Sequence, residues 1–286
     1  MDENVDVRSL PIVMEQYEEL NYEIHMTDSK TKNCLICFSG HGLYFPNTLE
    51  TFENRIIDNN RFEWKKVNQN KIVEKKFKKI IYVRDIWKTW YLYGINSSIS
   101  NTERLLKFLQ NETQGYDVYT VGNSAGGYAA VQYGCLLNAV MVYNYSGQYE
   151  IDSKDYWNIE NCDNEEIKKE RISILNLINN STTKIAYFIP DEAKTDLEQY
   201  EKVKGCSNIL PFFIRSRWHG TTVLGVNYKY IFDMSIQKIE KLCKKYGTES
   251  INRYHFLFST TGIIKGIFAC CEMVAYKLKH RDTVGL

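Results

Sequence analysis

The chain has 286 residues, with 36 Lys and Arg against 35 Asp and Glu, 44% hydrophobic residues and 4 Pro. That balance excludes disorder, collagen and coiled coil, and a chain of this length buries enough apolar surface, in one large α/β domain or two small ones, to fold without disulfide staples. A formal net charge of +1 supplies no broad basic field, so no nucleic-acid partner is expected.

The first ten residues place Asp2, Glu3 and Asp6 ahead of any apolar run, unlike the basic start of a secretory signal. The chain is therefore expected in the cytoplasm. Short runs rich in Val, Ile, Tyr and Phe predict strands at residues 22–26, 34–38, 79–83, 117–121, 139–143, 185–189 and 209–214. Helical patterns fall at 100–110, 124–137, 165–179, 196–203 and 228–246. Strands alternating with helices predict a mostly parallel central sheet with helices on both faces, an α/β fold.

Cys34 and Cys37 form a C-x-x-C within the second of these strands, where positions i and i+3 face opposite sides of the sheet. They are expected to be reduced core thiols, like the other scattered cysteines, and no metal site or cofactor is indicated. The lysine-rich run from Lys71 to Lys79 reads as a solvated approach to the third strand.

Gly247, after Lys244, Lys245 and Tyr246, predicts a helix stop that divides a domain over 1–247 from a C-terminal helical extension over 248–286. Within the extension, Ile264, Ile267, Phe268, Cys271, Ala275 and Leu278 share one face of a helix over 262–279. Lys265 and Glu272 interrupt any membrane-spanning run. The amphipathic helix is expected to dock on the domain or on a second copy of the chain. The alternative is peripheral contact with the inner face of a membrane, given Lys277, Lys279 and Arg281.

Residues 117–130 carry the chemistry. A strand runs into Gly122-Asn123-Ser124-Ala125-Gly126 and then a helix of small residues, the nucleophile-elbow pattern G-x-S-x-G. The turn must hold the serine in a strained conformation, and the flanking glycines let strand and helix approach without Cβ clashes. Ser124 would stand at a helix N-terminus, where the dipole favours developing negative charge.

An acyl-transfer serine needs a base, and His219 lies in the loop leaving the last predicted strand, in the order Ser…Asp…His. The base needs an acid, and the loop after 185–189 offers Asp196, which is preferred, and Asp191 as the alternative. The oxyanion of a tetrahedral intermediate would meet the main-chain N–H groups of Ala125 and of His41, which lies in the Gly40-His41-Gly42 loop after the second strand.

On these residues the chain resembles the α/β-hydrolase superfamily. More narrowly, it resembles the bacterial α/β-hydrolase-like proteins associated with surface-polysaccharide (capsule or O-antigen) biosynthesis. The narrower resemblance rests on "YVRDIWKTWYLYG" (82–94), "VGNSAGGYAAVQYG" (121–134), "DLEQYEKV" (196–203) and "RWHG" (217–220). It implies Ser124 as nucleophile, His219 as base and, because the acid of the family precedes a helix, Asp196 as acid. It also implies ester hydrolysis or acyl transfer on a carbohydrate or similar acyl ester. Arg84, Asp85, Trp90 and Tyr91 are expected to bind that substrate, on a loop at the same sheet edge as the elbow. The rival expectation for them is packing under the loop, with Arg84 and Asp85 paired to each other. A rival for the whole chain is an inactive scaffold or glycan-binding component that keeps the fold.

Overall fold

The computed structural model describes residues 10–152, 171–220 and 222–279. Seven strands form the main sheet: β1 (Tyr22–Met26), β2 (Asn33–Phe38), β3 (Lys79–Val83), β4 (Asp117–Asn123), β5 (Met141–Tyr145), β8 (Lys184–Pro190) and β9 (Ile209–Ile214). Their spatial order is β1-β3-β2-β4-β5-β8-β9. Only the edge strand β1 is antiparallel to its neighbour, so the other six all end on one edge. A small antiparallel pair, β6 (Glu150–Asp152) and β7 (Arg171–Ser173), stands apart.

The helices are α1 (Pro11–Tyr17), α2 (Leu49–Phe52), α3 (Lys65–Asn68), α4 (Lys71–Lys76), α5 (Thr102–Glu112), α6 (Ala125–Leu136) and α7 (Leu175–Asn179), followed by α8 (Lys194–Val203), α9 (Tyr228–Asp233), α10 (Ile236–Tyr246), α11 (Arg253–Thr261) and α12 (Ile263–Lys279). Two apolar cores sandwich the sheet. On one face α1, α5, α6, α7 and α8 cover Cys34, Ile36, Phe38, Val83 and Val142. On the other, α4, α9, α10 and α11 cover Leu35, Cys37, Tyr82, Tyr143 and Phe212. The alternation along β2 follows from the two-residue period of a strand, and because both faces are covered the strands read as continuous apolar runs.

The expected strands all form, with β5 displaced two residues from 139–143. Residues 137–139 turn out of α6 before the strand begins: Ala139 N–H donates to Gly134 O and Asn138 adopts φ +52°. The helix expected over 228–246 breaks in two, because Met234 turns extended and the Ser235 side chain caps α10 by accepting from Lys238 N–H. Residues 165–170 of the helix expected over 165–179 lie outside the described residues, as do Asp2, Glu3, Asp6, Cys162 and Arg281. The remainder of that stretch divides into β7 and α7.

α10 ends at Tyr246, with Gly247 at φ +56°. Beyond it the chain returns to the sheet, where Ile251 N–H donates to Phe213 O and Arg215 N–H to Ile251 O, and α11 buries Phe256 and Leu257. α12 rests on the domain through buried Ala269 and a Lys229–Glu272 ion pair of 2.6 Å. Its other face leaves Ile263, Ile264, Ile267, Phe268 and Leu278 exposed. Among the described residues no helix is long and apolar enough to cross a membrane.

Cys34 and Cys37 point into opposite cores. Burial pushes the Cys34 thiol up to about 12 and raises that of Cys37 as well, so both stay protonated, and therefore unreactive, at pH 8. With iodoacetamide on folded protein at pH 8, exposed Cys271 is expected to be alkylated while Cys34 and Cys37 are spared until denaturant is added, as peptide mass mapping will show.

Candidate active site

The turn between β4 and α6 is sharp enough to place Ser124 at φ +54° and ψ −123°, a conformation that costs a non-glycine residue about 1–3 kcal/mol. Its N–H donates to Tyr145 O on β5, and its carbonyl accepts from the N–H groups of Gly127 and Tyr128. Gly122 allows the return of the chain: a Cβ there would sit 1.9 Å from Gly126 O. Strain at the serine is thus held from both the strand and the helix.

His219 reaches this serine from the loop after β9, with Nε2 2.8 Å from Ser124 Oγ. Its Nδ1 lies 2.9 and 3.1 Å from the two carboxylate oxygens of Asp196, in the first turn of α8. Asp196 is buried, whereas the His219 side chain is 42% exposed. Asp191 does a different job: its Oδ1 accepts from Ser216 N–H at 3.1 Å, fixing the loop that carries His219. Ser216 Oγ in turn accepts from Trp218 N–H and from Arg253 Nη2. Gly220 closes the loop at φ +79°, where its N–H donates to Ser146 Oγ.

A cavity of about 520 Å³ opens beside His219. Trp90, Ser146, Gln148, Asp152, Thr195 and Glu198 are among its lining residues, and among the described residues neither lysine nor arginine is. The Trp90 indole N–H donates to Gln148 Oε1 at 3.2 Å, and the His41 ring packs edge-on against Trp90 with centroids 4.3 Å apart. Gln199 supports the far wall, its Oε1 accepting from Tyr149 N–H and its Nε2 donating to Glu150 O.

Trp90 alone of the four residues expected to bind substrate lines this cavity. Arg84 is 1% exposed, its Nε donates to Asn21 Oδ1 at 2.9 Å, and its guanidinium lies over the Phe62 ring. Asp85 does not pair with it. The Asp85 carboxylate instead accepts from the N–H groups of Trp87, Thr89 and Tyr91, which stabilises a loop where Lys88, Trp90 and Tyr91 all take positive φ. Burial raises the Asp85 carboxyl against the pull of those hydrogen bonds. Tyr91 is fully buried and donates from its hydroxyl to Ser39 O. Arg84, Asp85 and Tyr91 therefore shape the loop from beneath, and only the indole they present faces the cavity.

Three residues at the site had no signal in the sequence. Glu63, from the segment between β2 and β3, accepts from Gly40 N–H at 2.6 Å, and its own N–H donates to Ser39 Oγ. Asn123 packs against Gly220, its amide nitrogen 3.1 Å from where a Cβ would stand, and its side chain bonds Glu63. Ser146 holds Gly220 as described. Each lies far from its partner along the chain, so no short motif could contain the pair.

Ala125 begins α6, and among the described residues no acceptor meets its N–H; Gly40-His41-Gly42 leaves β2 beside it. Sheet order, the single antiparallel edge and the strained serine turn after β4 define an α/β-hydrolase fold. No protein-family model and no curated protein sequence matches the chain. Among solved structures, MenH from S. aureus aligns at 12% identity over 79% of this chain and 100% of its own, with a TM-score of 0.46. Est1E from Butyrivibrio proteoclasticus aligns at 11% over 78% and 93%, with 0.46, and the capsule O-acetyltransferase of Neisseria meningitidis serogroup A at 12% over 69% and 85%, with 0.47.

Truncating Asp85 to Ala strands three buried backbone N–H groups, at about 1–3 kcal/mol for each group left unmatched. A loss of about 3 kcal/mol or more in urea unfolding is expected for Asp85→Ala, with a smaller loss for Asp85→Asn, which keeps one acceptor oxygen.

Proposed function

We propose that the chain is a serine-dependent ester hydrolase or acyltransferase that works through an acyl-Ser124 intermediate. The observation that carries this reading is the unbroken hydrogen-bonded line from Ser124 Oγ through His219 to buried Asp196. His219 Nε2 takes the hydroxyl proton as Oγ attacks the acyl carbonyl. Asp196 holds Nδ1–H, which fixes the tautomer that leaves Nε2 free to accept, and it stabilises the imidazolium that follows. The N–H groups of Ala125 and His41 receive the oxyanion, aided by the N-terminal end of the α6 dipole. His219 then returns its proton to the departing alcohol, and water or an acceptor hydroxyl repeats the sequence in reverse to free the serine.

The lining of the His219 cavity favours a carbohydrate as the group that carries or receives the acyl chain. The Trp90 indole lines the cavity beside hydroxyl, amide and carboxylate groups at Ser146, Gln148, Thr195 and Glu198, which suits a polyol. The exposed face of α12 belongs to the same proposal as a contact surface for a second copy or a membrane.

A serine-directed fluorophosphonate is expected to add once to the purified protein, and intact mass will show the adduct missing from Ser124→Ala. Folded wild-type protein that takes no label would favour the scaffold reading. With a turnover assay in hand, Asp196→Asn should lower kcat by about 10⁴-fold, the size of effect expected when the base is left in the wrong tautomer. Asp191→Asn, which loosens a loop without touching the imidazole, should cost about tenfold or less.

A further inference from the structure

A second cavity, of about 580 Å³, is lined by residues 54–69, whose Arg55 and Glu63 hydrogen-bond the Gly40–Gly42 loop, and it has the opposite charge to the cavity beside His219. Arg55, Arg61, Lys65 and Lys66 line it, and among the described residues Glu63 is the one carboxylate of the lining. Lys65 is already matched by Glu23 at 2.7 Å. Arg55 and Arg61 are half-buried, and among the described residues no carboxylate lies within ion-pair distance of either. They are tied to one another through the backbone, Arg61 N–H donating to Arg55 O at 2.9 Å. Burial and then the charge of Arg55 depress the Arg61 guanidinium, with Glu63 opposing. With Lys65 taken up by Glu23, the side chains of Arg55, Arg61 and Lys66 face Glu63 alone among the described carboxylates of the lining, and half-buried guanidiniums in such excess are costly unless an anion supplies the missing charge.

This cavity touches the proposed site through the loop it shares with it. Arg55 Nη1 points to Gly42 O at 3.5 Å, and Glu63 holds Gly40 N–H at 2.6 Å, immediately before His41. Neutral donors are present as well, with the side-chain amides of Asn54, Asn60 and Gln69 in the lining. A volume in the range of about 300–1,000 Å³ is that of a small-molecule site. A single carboxylate ligand would satisfy one arginine fork. Two arginines with Lys66 match the charge and the number of oxygens of a phosphomonoester or diphosphate.

We infer that the Arg55–Arg61 cavity binds a phosphate-bearing portion of the substrate on which the elbow acts. This rests on the ester-transfer reading of Ser124. In that arrangement the two cavities divide the reaction's components by charge: the polyol sits beside His219 and the phosphates sit among Arg55, Arg61 and Lys66. The phosphates belong either to a phosphorylated acyl donor or to a phosphorylated sugar, and both present the same chemistry to Arg55 and Arg61.

The test is calorimetric titration of inorganic pyrophosphate into Ser124→Ala protein, a background in which no turnover can occur. Arg55→Gln and Arg61→Gln, each with an unchanged thermal unfolding midpoint, are expected to weaken binding by about tenfold, the value of one charge-assisted hydrogen bond. Lys30→Gln, which removes an exposed charge elsewhere, should change it by less than about twofold. Displacement of pyrophosphate by acetyl-coenzyme A marks the phosphates as the donor's, and displacement by a nucleotide sugar marks them as the acceptor's. Absence of millimolar binding, equal losses in Arg55→Gln and Lys30→Gln, or displacement by neither compound overturns the inference. Since binding is read without turnover, its failure alongside successful fluorophosphonate labelling removes only the cavity assignment. Binding in a protein whose serine takes no label removes only the ester chemistry.

Discussion

The strained turn that ends β4 is the constraint on which the rest of the site depends. Ser124 stands at φ +54° because its N–H is bonded to the neighbouring strand and its carbonyl to the first turn of α6. The strand's central place in the sheet then decides what the serine can meet. β2 and β5 flank β4, so the Gly40–Gly42 loop and the Ser146–Gln148 turn lie on either side, while the first turn of α8, after β8, and the loop after β9 supply Asp196 and His219. Six strands running the same way bring all these loops to one edge, where an α/β sheet binds its ligands.

Buried and half-buried acids are the second organising device, and each is committed by the donors nearest to it. Asp85 gathers three backbone N–H groups, Asp191 holds that of Ser216, and Glu63 holds that of Gly40. Asp196, in the first turn of a helix and facing an imidazole, is given to Nδ1 of His219. A carboxylate can serve either purpose with similar energy, about 1.5–3 kcal/mol for a hydrogen bond to a charged group. The assignment therefore depends on which donor the fold brings within 3 Å.

Charge is distributed unevenly around the elbow although the whole chain is close to neutral. Acids and amides line the cavity beside His219, and arginines line the one formed by residues 54–69. Within low-dielectric walls such local fields outweigh a net charge of +1, which governs only long-range behaviour in salt. Composition excludes a broad nucleic-acid surface but says nothing about two pockets a few residues apart.

The sequence by itself determined whatever depends on neighbours along the chain. The two-residue and 3.6-residue periods marked the strands and most helices, Gly122 through Gly126 marked the elbow, and Gly247 marked the end of α10. It also ordered Ser124, Asp196 and His219 along the chain, though it left Asp191 open as the acid. Only the tertiary structure showed that Asp196 faces Nδ1 of His219 while Asp191 faces Ser216 N–H. Tertiary packing also split the helix expected over 228–246 at Ser235 and carried Arg84, Asp85 and Tyr91 beneath the loop that brings Trp90 to the cavity wall. Glu63, Asn123, Arg55 and Arg61 became part of the site region through contacts across many residues of chain. Hydrogen bonds and desolvation act over a few ångströms of space, and linear order does not specify which distant groups will share them.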